Sequence, residues 1–430
     1  RLLVKVLVEF LPLVPLLGIS FAINWGFRLK HFSSFSSAMA EALEKHNVLK
    51  EEKKSKKSSK PRYNGRLKKR QWDDNEEMDE ATKEKRANFD PADRIKRKKS
   101  AILLGYSGVN YFGMQRNPGM KTIEEDLFAA MLKNKWISEE GFDQPQVTQF
   151  QRAARTDKGV SAARQCCSIK LPDNVDIQSL NNDLPKQIQV FAVKRVTKGF
   201  NSKDQCDART YTYTLPTVAL ANYNEEVDME TFRATAEQKA HFNELLKMFE
   251  GTKNFHNFTS RKEYLDPSAK RFIMSFSLDD SFVYAGDVEF ATIRVKGQSF
   301  MMHQIRKMIG LTLAAFRGHT SIDTIKRAFT EDRLDIPRAP GLGLVLDQVH
   351  YEKYNNRYGE DGIHEPLTWE KEEPEIKNFI NNYIYPIIFE TELKEKSMVE
   401  WLQTLGKHSY DIRVDEKCPV EDKSKNEDDE

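Results

Sequence analysis

A change of period in mid-chain most constrains what this sequence can fold into. EFATIRVKGQSF, residues 289–300, alternates polar and apolar side chains as a strand does, and MMHQIRKMIGLTLAAFRG follows without a break. In that second stretch Met301, Ile305, Met308, Ile309, Thr312, Leu313 and Phe316 fall on one helical side. A half-buried strand feeding an amphipathic helix must bury two apolar faces at once, which a helix laid on a sheet achieves. FIMSFSLDD alternates in the same way and reads as the antiparallel neighbour of 289–300, while APGLGLVLDQVHYEKY closes the region with a further strand.

The preceding residues repeat the style. SAILLGYSGVNYFG opens with a short apolar run bounded by glycine turns, a strand signal. TIEEDLFAAMLKNKWI predicts a helix with Ile123, Leu127, Ala130, Met131 and Ile137 on one face, started by a Thr122/Glu125 capping-box pattern. VTQFQRAARTDKGVSAARQCCSIKLP reads as strand, glycine turn, strand; DIQSLNNDLP as a short helix; IQVFAVKRVT and RTYTYTLPT as strands, the latter ended by Pro216. ETFRATAEQKAHFNELLKMFEG is a helix stopped by Gly251. The pattern predicts an α+β fold of two lobes, 99–216 and 217–358, with a groove between them. A helical extension over 359–408 and a disordered acidic tail over 409–430 follow.

Ahead of this region the composition changes. Residues 39–98 are polar and lysine-rich, which predicts a disordered basic arm whose clusters KKSKKSSKPR and RIKRKK suit nuclear import or loose RNA contact. Residues 1–38 begin with an apolar stretch broken by Lys5, Glu9, Pro12 and Pro15. Those interruptions argue against a membrane span and leave a cleaved leader or a non-native N-terminus, so no stable membrane contact is expected. The nucleus is the expected compartment, with the mitochondrion as a second one if translation starts before Met39.

With a net charge of +2 on 430 residues, no global field selects a partner. The four cysteines lack paired metal-ligand spacing, which excludes a structural zinc site and suits a reducing compartment. Neither a phosphate-binding nor a dinucleotide glycine fingerprint occurs. His256, between Phe255 and Phe258, has no metal-binding companion at suitable spacing. No metal and no cofactor are expected.

The chemistry-bearing stretch is FQRAARTDKGVSAARQ, where Arg152, Arg155, Lys158 and Arg164 crowd around Asp157. An Asp-x-Gly sequence is ordinarily a turn. Here Gly159, Ser161, Ala162 and Ala163 also let another molecule approach the backbone, and the cations suit an RNA backbone while keeping the carboxylate ionised. An ionised aspartate in a cationic RNA groove is a candidate nucleophile or base. Tyr211 and Tyr213 share one strand face and either pack in the core or stack on a base. His303, Arg306 and Lys307 sit off the apolar face of their helix, and Arg306 is placed to reach a buried carboxylate. No second acidic residue sits in a comparable loop, which excludes paired-carboxylate glycoside chemistry.

RAARTDKGVSA, FNSKDQCDARTYTYTLP, VKGQSFMMHQIRKMIG and RAPGLGLVLDQVHYEKYN, in that order, resemble the motifs of the tRNA pseudouridine synthase A (TruA) family. The lysine-rich arm, FMMHQIRKM and DGIHEPLTWE are most similar to its eukaryotic tRNA pseudouridine synthase 1 branch. The resemblance implies the pseudouridine synthase fold, two α+β lobes sharing a mostly antiparallel sheet around a central RNA-binding cleft. It implies conversion of uridine in tRNA to pseudouridine, without cofactor, by cleaving the bond from uracil N1 to ribose C1′ and rejoining through C5. By the same resemblance Asp157 is the catalytic aspartate with Arg155 beside it. Tyr211 stacks on the uracil (Tyr213 if the register is off by one pair), Arg306 pairs with the carboxylate, and Leu344 packs against the base. Arg152, Lys158, Arg164, Arg209, His303 and Lys307 are the expected RNA contacts. Ser161 stands where bacterial members have histidine, a branch difference. The anticodon stem of tRNA is the implied target, with mRNA and small nuclear RNA as further structured substrates. A monomer is expected rather than the bacterial homodimer, because the C-terminal extension would cover that surface. The alternative reading is a non-catalytic RNA-binding protein on the same scaffold.

Overall fold

Strand periodicity and glycine turns yield ten strands that join in one sheet among the described residues, which in this computed structural model are 96–279, 281–284 and 288–413. The leader or non-native N-terminus over 1–38, the arm up to residue 95 and the tail beyond 413 lie outside the described residues. The strands are β1 (Arg97–Tyr106), β2 (Gln151–Arg152), β3 (Ser161–Pro172), β4 (Ile188–Arg195), β5 (Ala208–Pro216), β6 (Gly251–Asn254), β7 (Lys270–Leu278), β8 (Phe282–Tyr284), β9 (Val288–Gly297) and β10 (Leu344–His350). Their order is β4-β1-β3-β10-β5-β9-β7-β6, with β2 pairing β3 and β8 pairing β9.

Every pairing is antiparallel except one. The late strand β10 inserts between β3 and β5, parallel to β3 through Val345–Ser161 and Leu346–Ala162 and antiparallel to β5 through Leu344–Tyr213 and Leu346–Tyr211. That seam brings residues far apart in sequence onto three adjacent strands, and the candidate site grows there.

The helices are α1 (Ile123–Lys133), α2 (Glu139–Asp143), α3 (Ile177–Asp183), α4 (Ala236–Lys247), α5 (Gln304–Phe316), α6 (Ile322–Arg327), α7 (Glu352–Tyr358), α8 (Glu373–Phe379), α9 (Tyr385–Glu395) and α10 (Ser397–Leu402). Thr122 caps α1 as expected, its hydroxyl accepting from Glu125 N at 3.3 Å. The helix ends at Lys133, so Ile137 lies beyond it and not on its face. The long helix α5 buries Ile305, Met308, Ile309, Leu311 and Leu313. It starts at Gln304, three residues later than the periodicity suggests, because His303 has left-handed backbone angles (φ 65°, ψ 0°) that no helix interior accommodates.

The C-terminal extension packs on the sheet through aromatic rings. Phe379 of α8 meets Phe191 of β4 edge-on at 5.7 Å, and Phe389 of α9 lies 4.2 Å from Tyr284 of β8 and 4.9 Å from Phe290 of β9. Burying each phenylalanine contributes about 1.5–3 kcal/mol. A π-helical turn over Ile380–Ile384 joins α8 to α9 and absorbs Pro386 in the first turn of α9. The first residues assigned to the acidic tail, 409–413, are paired with the body of the protein: Ile412 bridges Leu334 and Asp411 pairs with Arg327 at 2.7 Å. Among the described residues no helix is long and apolar enough to cross a membrane.

Candidate active site

Asp157 lies in the loop between β2 and β3. Gly159 has φ +77°, a left-handed conformation that reverses the chain two residues after the carboxylate. The turn closes through Val160 N donating to Asp157 O at 3.1 Å. The connection from β1 to α1 holds it from outside, with Gly159 N donating to Tyr111 O at 3.2 Å and Met114 N to Thr156 O at 3.2 Å. From below, the buried Tyr106 hydroxyl meets Thr156 Oγ1 at 2.9 Å. Backbone and side-chain bonds on both sides thus fix where the aspartate points.

The Asp157 side chain keeps 39% of its surface exposed and opens into a cavity of about 490 Å³. Arg155, Arg209, Tyr211, Met302, His303, Arg306 and Leu344 share its walls, so residues from β3's loop, β5, α5 and β10 converge on one hollow. Tyr211 is almost fully buried, its ring edge-on to Phe300 at 5.3 Å and 83°. Burial pushes its phenol up to about 12, so it stays protonated at neutral pH. Tyr213 is not on this wall: its hydroxyl donates to Pro340 O at 2.9 Å, away from Asp157.

The titratable side chain facing Asp157 is His303, whose Nδ1 stands 3.4 Å from Asp157 Oδ2. The expected ion pair between Arg306 and Asp157 is corrected: no pair within 4.0 Å joins them. Instead Arg306 Nε donates to Ala339 O at 2.7 Å, and its guanidinium acts on Asp157 through space from the cavity wall.

The expected RNA contacts separate into two groups. Lys158 is exposed beside the Asp157 loop, its amine over the Phe112 ring at 4.6 Å, and Arg155, expected beside the carboxylate, is exposed on the cavity wall. The rest have protein partners. Arg152 pairs with the buried Glu124, whose carboxyl burial pushes upward and Arg152 pulls back. Arg209 donates to Ala153 O at 2.6 Å and Gln298 O at 2.9 Å, tying the Asp157 loop to the end of β9. For Lys307 the expectation is overturned. Its amine donates to Asn257 O at 2.9 Å and Thr259 O at 3.2 Å, and burial brings its pKa down to about 8.

Arg164 is corrected as well: its guanidinium holds Asp347 at 2.9 Å and Glu373 of α8 at 2.8 Å. It lines a larger hollow of about 760 Å³ under the C-terminal helices, where Arg294 also pairs with Asp347 at 2.8 Å and Asp279 at 3.0 Å. There Arg164 and Arg294 are engaged by the carboxylates of Asp347, Glu373 and Asp279. Phe300, Met302 and Arg338, which reaches His303 Nε2 at 3.1 Å, carry no signal in the sequence, since nothing in their spacing marks them.

Among the described residues no group of three or more histidine, cysteine, aspartate or glutamate side chains could hold a metal ion. Cys166, Cys167 and Cys206 are free thiols, and burial pushes Cys166 up to about 12.

Comparison with known proteins points one way. The family model described as tRNA pseudouridine synthase matches residues 245–352, which hold His303, Arg306 and Leu344. The chain is 50% identical over 314 residues to the pseudouridylate synthase 1 homolog of Homo sapiens, covering 72% of this chain and 73% of that protein. It is 48% identical over 326 residues to the corresponding protein of Mus musculus, covering 75% and 77%. Against tRNA pseudouridine synthase 1 of Kluyveromyces lactis it is 33% identical over 380 residues, covering 70% and 68%.

Proposed function

The chain belongs to the tRNA pseudouridine synthase family, in its eukaryotic branch, and from that premise we propose that Asp157 is the carboxylate with which it isomerises uridine in tRNA to pseudouridine. One observation carries the assignment: the Asp157 side chain opens into a cavity also walled by Tyr211 and Leu344. The reaction breaks the N1–C1′ glycosidic bond, turns the uracil and joins C5 to C1′, so substrate and product are isomers. Asp157 either attacks a carbon of the nucleotide or removes the ribose C2′ proton, and both routes need an ionised carboxylate within reach of an extruded base.

Extruding a uridine costs a few kcal/mol of stacking and pairing. The Tyr211 ring offsets about 1–3 kcal/mol of it by stacking on the uracil, with Leu344 against the other side. Arg155 and Lys158, exposed at the rim, hold the phosphates on either side. The target is the anticodon stem of tRNA, and other structured RNAs, messenger and small nuclear, present the same extruded nucleotide to the same cavity. The basic clusters within residues 39–98 support residence in the nucleus, with the mitochondrion as a second compartment. The C-terminal helices lying on the sheet support a monomer.

The test is tritium release from tRNA labelled at uracil C5. The native protein releases tritium; Asp157→Ala binds tRNA and releases none. Equal release by both proteins removes Asp157 from the chemistry.

A further inference from the structure

His303 combines an uncommon backbone conformation with a place on the cavity wall. It is a non-glycine residue at φ 65°, on the wall of the cavity, immediately before the first turn of α5. A bulky side chain in that conformation is uncommon and persists where the surroundings hold it. Two groups hold this one. Arg338 Nη1 lies 3.1 Å from His303 Nε2, and Asp157 Oδ2 lies 3.4 Å from His303 Nδ1.

A guanidinium has donors and no acceptor, so at Nε2 the imidazole must accept. An imidazole that accepts at Nε2 carries its proton on Nδ1 and is neutral. Nδ1 is shut off from solvent and has no hydrogen-bond partner among the described residues. The acceptor it faces is Asp157 Oδ2, at a distance long for such a bond. Catalytic hydrogen bonds are commonly long before substrate binds and tighten afterwards.

We propose that His303 is the positioning residue of the catalytic carboxylate: Arg338 sets its tautomer, and the neutral ring donates Nδ1–H to Asp157 Oδ2, leaving Oδ1 free to act on the uridine. The proposal rests on Asp157 being the essential carboxylate. The surrounding charges favour the neutral ring. Arg338 faces it from the segment ahead of β10, Arg306 and Lys307 from its own helix, and Asp157 from the loop after β2. Desolvation and the three cations lower its pKa below the ordinary histidine value, against the opposing pull of Asp157. Protonation would make the ring a second cation beside Arg338, break the bond to Arg338 and bind Asp157 as an ion pair, blunting it.

The experiment measures single-turnover tritium release from C5-labelled tRNA between about pH 5 and pH 8, with tRNA affinity measured alongside. Glycine adopts φ 65° freely, so His303→Gly removes the donor without straining the backbone. It should slow release roughly 10- to 100-fold with affinity retained. Asparagine enters the left-handed region more readily than most residues and carries an N–H near the place of Nδ1. His303→Asn should therefore recover most of the rate and lose the acid-side fall that histidine protonation produces. Arg338→Met removes a cation from the ring and should move that acid-side fall to higher pH.

Native rates in His303→Gly, equal slowing in His303→Gly and His303→Asn, or an unmoved pH profile in Arg338→Met each overturn the proposal. Asp157→Ala, run in parallel, separates the two layers of the argument. Release by that variant removes the underlying assignment of Asp157, whereas a dead Asp157→Ala beside a fully active His303→Gly removes the role of His303 alone.

Discussion

Tyr211 and Tyr213 project from the same face of β5, two residues apart, and end in different cavities: Tyr211 on the wall that Asp157 shares, Tyr213 against Pro340 and Gly343. Their substitutions should therefore separate. Tyr211→Ala removes the stacking ring and should lower kcat/KM per folded molecule by an amount equivalent to about 1–3 kcal/mol, and because that ring is almost fully buried it should lower the melting temperature as well. Tyr211→Phe keeps the ring and should bind tRNA while turning over more slowly. Tyr213→Phe leaves the Pro340 carbonyl without its donor and should cost about 1–2 kcal/mol of stability at an unchanged rate per folded molecule. Parallel thermal melts and single-turnover assays decide; a Tyr213→Phe protein that melts normally and turns over slowly would reverse the two roles.

Gly343 controls the seam at which β10 joins β5. Thr214 N donates to Gly343 O at 3.0 Å, and a Cβ added at 343 would stand 2.0 Å from Thr214 O. No side chain fits without the strands moving apart. Gly343→Ala should cost about 1–3 kcal/mol in urea unfolding and, because Leu344 follows directly, should also slow turnover. An unaltered unfolding midpoint would mean the seam yields at no cost.

Arg155 and Lys158 should carry salt-dependent RNA affinity, and Arg164 should not. Deleting a cation that neutralises one phosphate makes the slope of log affinity against log salt shallower by about one. Arg155→Gln and Lys158→Gln should each show that reduction. Arg164→Gln should keep the native slope and instead loosen α8, since Asp347 and Glu373 lose their shared cation. A shallower slope in Arg164→Gln would return that residue to the RNA surface.

The same residues mark how far the sequence reaches. Asp157, Tyr211, Leu344 and Arg306 meet in one cavity because their motifs lie just before β3, within β5, at the start of β10 and on α5, and strand and helix periods are local properties. Arg164 looks like part of the same basic loop, but it lies within β3, where successive side chains alternate faces. Its partner Glu373 is 209 residues away, a pairing no local pattern encodes. Lys307 follows Arg306 directly, yet one residue of helix rotates a side chain by about 100°, enough to turn it from the cavity to the Asn257 carbonyl. His303 shows in the sequence only as a polar residue off the apolar face of its helix, while periodicity conceals its left-handed backbone angles.

The C-terminal extension should make stability fall as pH rises. Glu392 of α9 is 4% exposed; it accepts from Met398 N at 2.8 Å and lines the small hollow that holds Tyr213, Pro340 and Gly343. Burial pushes its carboxyl up to about 7 from 4.5, with Glu395 and Glu400 adding to the rise and the amides of Met398 and Val399 opposing it. An unfolded chain releases this proton near pH 4.5, whereas the folded chain keeps it to about pH 7. Between those values folding takes up a proton, so the contribution is most favourable below pH 4.5, declines through the window and is fully lost above it. The swing is about 3 kcal/mol at most. Glu392→Gln keeps an acceptor for Met398 N and cannot ionise. It should unfold at a higher urea concentration than the native protein at pH 8 and at nearly the same one at pH 5, the comparison cancelling every other titrating group. A Glu392→Gln advantage of equal size at both pH values would assign the difference to packing and leave the carboxyl's titration without a role.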